Sequence, residues 1–135
     1  MPSAMPAYLF AAIEEELREY PFTLMRIIEA REQAMTPRRE ERVGKGYSVP
    51  DPTFGTIARL CASDIARMER IADAISATYT ALKATSYELA QVVRLYYWRR
   101  ERAMDVAYYM SVDVSTLRRW REIVVGAVVH RMGRR

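Results

Sequence analysis

Apolar residues in the first part of the chain recur at helical spacing. Leu9, Ile13, Leu17 and Tyr20 fall three or four apart, with Glu14, Glu15, Glu16, Arg18 and Glu19 between them. This is the pattern of an amphipathic helix, and the Glu14–Glu16 run reads as its acidic, solvated face. Pro21 lacks the N–H that a continuing helix would use, so it is expected to open a second helix bearing Leu24, Ile27, Ile28, Arg31 and Met35. The periodicity stops between Thr36 and Pro52, where three Pro, two Gly and a run of charged side chains predict a long loop or linker. Arg38, Arg39, Arg42 and Lys45 in that stretch suit a solvated connector, or contacts to a phosphate backbone. A long helix is expected from about Thr53 to Leu82. Cys61, Ile65, Met68, Ala72, Ile75, Tyr79 and Leu82 form a heptad-like stripe along it, widened by Ile57, Leu60 and Ile71. That face must be buried, either on the N-terminal helices of the same chain or on a second copy.

Past the long helix, Thr85 and Glu88 fit a capping box, in which each side chain satisfies a backbone N–H near the other. The helix it opens turns Leu89, Val92, Val93 and Tyr96 inward and ends near Trp98. Arg99, Arg100 and Arg102 follow. A short helix then carries Val106, Ala107 and Met110 on one face, with a small residue where two helices would cross. Ser111-Val112 supplies a tight turn whose valine can plug the angle, and Asp113 is a strong N-cap for the next helix. Leu117 and Trp120 face inward from that last helix. Apolar-Ala, a short turn, an Asp cap and Leu-x-x-Trp together meet the geometric needs of a helix-turn-helix. Tyr108 and Tyr109 occupy exposed-looking positions, suited to packing on the long helix or to meeting a partner.

The second helix of such a unit enters the major groove, and its first turns meet base edges. Ser115, Thr116, Arg118, Arg119 and Arg121 are the expected DNA-facing set, and Arg99, Arg100 and Arg102 are placed to touch phosphates. Ser and Thr hydroxyls bond to bases or phosphates, and Arg grips guanine in a bidentate manner.

Charge distribution strengthens this reading. The formal net charge of +4 decides little by itself. From Arg94 onward, however, there are ten Arg against four acids, whereas the preceding residues hold 11 basic and 13 acidic groups. All the excess positive charge lies in the last third, as expected of a nucleic-acid surface joined to a mildly acidic protein surface. With 5 Gly and 6 Pro in 135 residues, a turn-rich β fold is disfavoured and an all-α chain is expected.

Other chemistries lack their residues. Cys61 is the only cysteine and reads as a small core residue. His130 is the only histidine and reads as a surface residue near a helix C-terminus. No intrachain disulfide, Cys/His metal cluster, P-loop or nucleophile–base pair can be assembled, so neither an enzyme nor a cofactor is expected. A chain with one thiol suits a reducing, cytoplasmic setting. No uncharged stretch approaches the ~20 residues of a membrane span.

Several short motifs in order resemble the RinA/ArpU-type phage late-gene transcriptional regulators, whose C-terminal part is similar to region four of bacterial sigma factors. They are the acidic helix running into a Tyr-Pro pair (Glu16–Pro21), Asp51-Pro52-Thr53 before a long helix containing Ala58–Leu60, Leu95–Trp98 ahead of the helix-turn-helix, and Val114–Arg121 on the recognition helix. The first helix of the unit is less acidic than the family pattern. The resemblance implies an activator of phage or prophage late genes that binds a promoter region in the bacterial cytoplasm. Ser115, Thr116, Arg118, Arg119 and Arg121 would face the double-stranded DNA.

The expected organisation is an N-terminal helical region (1–35), a linker (36–52), a long helix for packing or oligomerisation (53–84) and a DNA-binding unit (85–135). Helix-turn-helix proteins often dimerise, so a homodimer stands beside intrachain packing. Two other functions fit the same residues. One is a viral DNA-packaging component resembling a small terminase subunit, which would assemble into a large ring. The other is an adaptor whose basic helix binds host RNA polymerase and not DNA.

Overall fold

The computed structural model describes residues 5–35 and 52–133, with side chains at 5–33 and 63–133. The linker cations Arg38, Arg39, Arg42 and Lys45, and the side chains of Ile57, Leu60 and Cys61, lie outside the described residues. Among those described the chain is all-α, and no helix is long and apolar enough to cross a membrane. Helix α1 spans Ala7–Met35, α2 Pro52–Thr85 and α3 Tyr87–Val92. A π-helical segment follows at Val93–Trp98, then α4 at Ala103–Met110 and α5 at Val114–Met132.

Pro21 does not open a second helix. It lies inside the 29-residue α1, on an exposed position. A proline in a helix interior costs about 3 kcal/mol. Buried side chains on both sides of it, Ile13 and Leu17 before and Thr23 and Ile27 after, hold both halves of the helix against the rest of the fold. Each fully buried large aliphatic residue contributes about 1.5–3 kcal/mol, enough to offset the lost bond.

From Ala72 onward the long-helix stripe is covered within the chain, whereas Ile65 and Met68 are half-buried. Ala72, Ile75 and Leu82 are buried and Tyr79 is half-buried, with α2 packed against both α1 and α5. At one end Arg31 of α1 pairs with Glu69 of α2. At the other, Trp98 stacks on Tyr20 of α1 with centroids 5.3 Å apart and tilts against Tyr79 of α2 at 4.7 Å. The Tyr-Pro pair and the Leu95–Trp98 run, distant in sequence, thus meet.

The cap after α2 is displaced by one residue from the expected box. Thr85 closes α2, its hydroxyl donating to the Ala81 carbonyl at 2.8 Å, and Ser86 is the N-cap of α3, its Oγ accepting from the Leu89 N–H. The inward set also differs. Val92 and Val93 are buried as expected, but Tyr97, not Tyr96, is fully buried. The π geometry is the cause: the Arg99 N–H reaches back five residues to the Arg94 carbonyl at 2.9 Å. A π turn holds more residues than an α turn, so positions beyond Val93 depart from the 3.6 register.

One core joins all the elements. Leu17 of α1, Ile75 of α2, Val92 of α3, Tyr97 of the π segment, Val106 of α4 and Leu117, Val124 and Val128 of α5 all belong to it. Trp120 is half-buried at its edge.

The connection from α4 to α5 is tight. Ala107 is buried where the helices cross, and Val112 packs on the core beside it. Ser111 adopts the left-handed region at φ 62°. Its N–H bonds to the Tyr108 carbonyl at 3.1 Å and the Val112 N–H to the Ala107 carbonyl at 3.0 Å. This is the Schellman arrangement, which normally places glycine at the left-handed residue. An L-residue there costs about 1–2 kcal/mol, partly offset by the greater unfolded-state freedom of glycine. Ser111→Gly is therefore expected to stabilise the fold by roughly 0.5–1 kcal/mol in urea unfolding.

Candidate nucleic-acid interface

The turn delivers α5 with its first residues in solvent. Asp113, in extended conformation, caps the helix: its Oδ1 accepts from the Thr116 N–H at 2.8 Å and from the Ser115 hydroxyl at 3.1 Å. Hydrogen bonds from Thr116 and Ser115 hold its carboxyl below the usual carboxylate range. Leu117 is fully buried, and this fixes the rotation of the helix about its axis. Ser115, Arg118 and Arg119 are exposed, and Thr116 is half-exposed. The Arg119 guanidinium donates to the Thr116 hydroxyl at 3.2 Å and has no ion-pair partner among the described residues.

Most of the other expected cations have acidic neighbours. Arg99 pairs with Glu101 at 3.3 Å, Arg102 with Asp105 at 3.3 Å and Arg118 with Glu122 at 3.2 Å. The arginines of these pairs are well exposed, and exposed ion pairs contribute about 0–1 kcal/mol, so each can be exchanged for a phosphate at little cost. Arg100 is more committed. It adopts a left-handed backbone at φ 58° and reaches across to α1, donating to Glu19 at 3.2 Å and to the Arg18 carbonyl at 3.3 Å. Hydrogen bonding from Arg100 and Arg26 keeps the Glu19 carboxyl below its ordinary value.

Arg121 leaves the expected DNA-facing set. Its Nε and a terminal nitrogen grip Glu14 at 2.8 and 2.9 Å, and its guanidinium lies 4.6 Å from the Tyr96 ring centroid. The Tyr97 hydroxyl donates to the same carboxylate at 2.6 Å. Glu14 is therefore buried and not part of a solvated acidic face. Burial opposes the charge on Arg121, but hydrogen bonding and Coulomb attraction from Glu14 outweigh it, so its pKa is raised. Burial, then the bond to Glu14, pushes the Tyr97 hydroxyl far up, and it remains a donor. Phe10 of α1 lies near both Arg118 and Arg121, at 4.6 and 5.8 Å.

This anchoring set was not among the sequence-derived site residues, yet its spacing carries a signal. Phe10, Glu14 and Leu17 share one helical face, as do Leu117, Arg121, Val124 and Val128. A charge on each apolar stripe, of opposite sign, marks a pair meeting inside. On α4, Met104, Tyr108 and Tyr109 are exposed, so the tyrosines do not pack on α2. His130 is exposed in the last turns of α5, and no group of three His, Cys, Asp or Glu able to hold a metal occurs among the described residues. No family model, curated protein or solved structure matches the chain.

Removing one partner of a buried ion pair strands the other. Glu14→Ala should destabilise by about 3–5 kcal/mol in urea unfolding, whereas Glu14→Leu combined with Arg121→Met and Tyr97→Phe, which leaves no polar member of the cluster stranded, should recover most of that loss. The Asp113 cap carries a pH signature. Its folded pKa is depressed, so its contribution is present above the ordinary carboxylate range and is lost as pH falls through the lowered value. The difference in thermal midpoint between the native chain and Asp113→Ala should thus be largest near neutrality and shrink below about pH 4.

Proposed function

We propose that the chain is a sequence-specific, DNA-binding regulator of transcription in which α4 and α5 act as a helix-turn-helix. The observation that carries this reading is the capped start of α5, with Ser115 and Arg119 in solvent and Thr116 half-exposed while Leu117 is locked in the core. Arg119 is the principal base-reading candidate. Arg118, Arg99 and Arg102 serve the phosphate backbone, exchanging weak surface pairs for it. Arg100 and Arg121 act by holding the unit on α1. The resemblance to RinA/ArpU-type regulators extends the reading to activation of phage or prophage late genes, with similarity to sigma region four. A rigid recognition helix fixed to a single core suits base reading, which needs side chains held in register with the groove.

The test is selection of bound fragments from the encoding genome at low and high salt, with solution mass measured on the same sample. Enrichment of one discrete intergenic site by a monomer or dimer, with affinity falling steeply as salt rises, is the expected outcome. Retention without a preferred site by a large ring would replace the reading with DNA packaging. No retention at either salt would replace it with a protein adaptor. On the selected site, Arg119→Ala should weaken binding by about 1–3 kcal/mol and leave the thermal midpoint unchanged.

A further inference from the structure

A second surface lies where α2 meets the last turn of α5. It is a cavity of ≈ 640 Å³ whose apolar lining is Ile71, Ala74, Ala77 and Met132. The two alanines leave its floor low. Three guanidinium groups stand around it: Arg67 and Arg70 from α2, and Arg131 from α5. Arg67 is answered by Asp64 at 3.1 Å. Arg70 and Arg131 have no ion-pair partner among the described residues. Two guanidinium groups from different helices, neither ion-paired among the described residues, thus line an apolar trough.

We propose that this groove docks an acidic amphipathic peptide segment of a partner protein. Charge complementarity carries the assignment. Guanidinium groups bind carboxylates in a planar, bidentate fashion, and the apolar floor between them takes aliphatic side chains. The lining residues of α2 run from Arg67 to Ala77, about 15 Å of helix, which matches two to three turns of a bound helix. Such a segment would present carboxylates to Arg70 and Arg131 and one or two leucine-sized side chains to Ala74 and Ala77. Duplex DNA fits less well, because an apolar floor offers nothing to phosphates; Asp73 is the one acid on the lining against three Arg, so the carboxylates of a peptide belong on the arginine sides. Arg131 lies fifteen residues beyond Thr116, about 22 Å along α5, so the groove and the start of the helix can be engaged together. The proposal does not depend on the DNA-binding reading.

Fluorescence anisotropy on the full chain tests it. The probe is a labelled 14-residue helical peptide with Leu at three positions of one face and Glu flanking them, beside a Glu→Gln version and a Leu→Ser version. The Glu/Leu peptide should bind saturably, and each altered peptide about tenfold more weakly or worse. Arg70→Glu with Arg131→Glu should abolish that binding and transfer it to a peptide carrying Lys in place of Glu. Ala77→Glu, at an exposed position, should weaken binding of the Glu peptide with the thermal midpoint unchanged. Absence of saturable binding, equal binding of the Leu→Ser peptide, indifference to the Arg70 and Arg131 changes, or displacement of the peptide by duplex DNA would each overturn the proposal.

Discussion

The carboxylate of Glu14 is the point on which the arrangement turns. It receives a phenol from the π segment and a two-pronged guanidinium from α5 while itself standing on α1, so three separate stretches converge on two oxygen atoms. A buried ion pair of this kind need not add much net stability, since desolvation opposes the attraction. Its directional bonds nevertheless accept only one relative placement of the helices. Apolar packing by Leu17, Ile75 and the α5 valines supplies the driving force, and the Glu14 cluster selects among the packings those side chains would tolerate.

That selection bears on the exposed end of the molecule. Leu117 and Arg121 lie one turn apart on α5, the first sunk in the core and the second clamped to α1. With both held, the helix can neither roll nor slide, and Ser115 and Arg119 take up fixed positions without being buried. The arginines near the unit therefore divide by mechanical role. Arg100 and Arg121 fasten it to α1, while Arg119 remains available to a ligand.

Much of this was legible in the amino-acid order. The all-helical class, the buried stripe at Ala72, Ile75 and Leu82, the small residue at Ala107, the tight turn and the Asp113 cap all follow from local rules of spacing and capping. What escaped depended on partners distant in sequence or on departures from ideal helical geometry. Pro21 locally favours a break, and only burial on both sides of it keeps α1 whole. A 3.6 periodicity has no place for a π turn, and so it points to Tyr96 where the structure buries Tyr97. In the sequence Arg121 is one more arginine in a basic run, since nothing nearby announces a buried carboxylate more than a hundred residues earlier. The stripe on which it sits was the available clue, and its charge obscured it.

The π segment has a consequence for how the chain tolerates changes in length. Successive residues of an α-helix are set about 100° apart around its axis. Val93–Trp98 accommodates in one widened turn a residue that a regular helix would pass to the next. Losing one residue there would let the segment close into ordinary α geometry, but it would swing everything that follows around the axis by about that angle. Tyr97 would turn away from Glu14, Trp98 from Tyr20 and Tyr79, and the α4–α5 unit would face a different direction. The wide turn thus works as an angular setting, coupling the number of residues in six positions of the interior to the direction in which the far helix points.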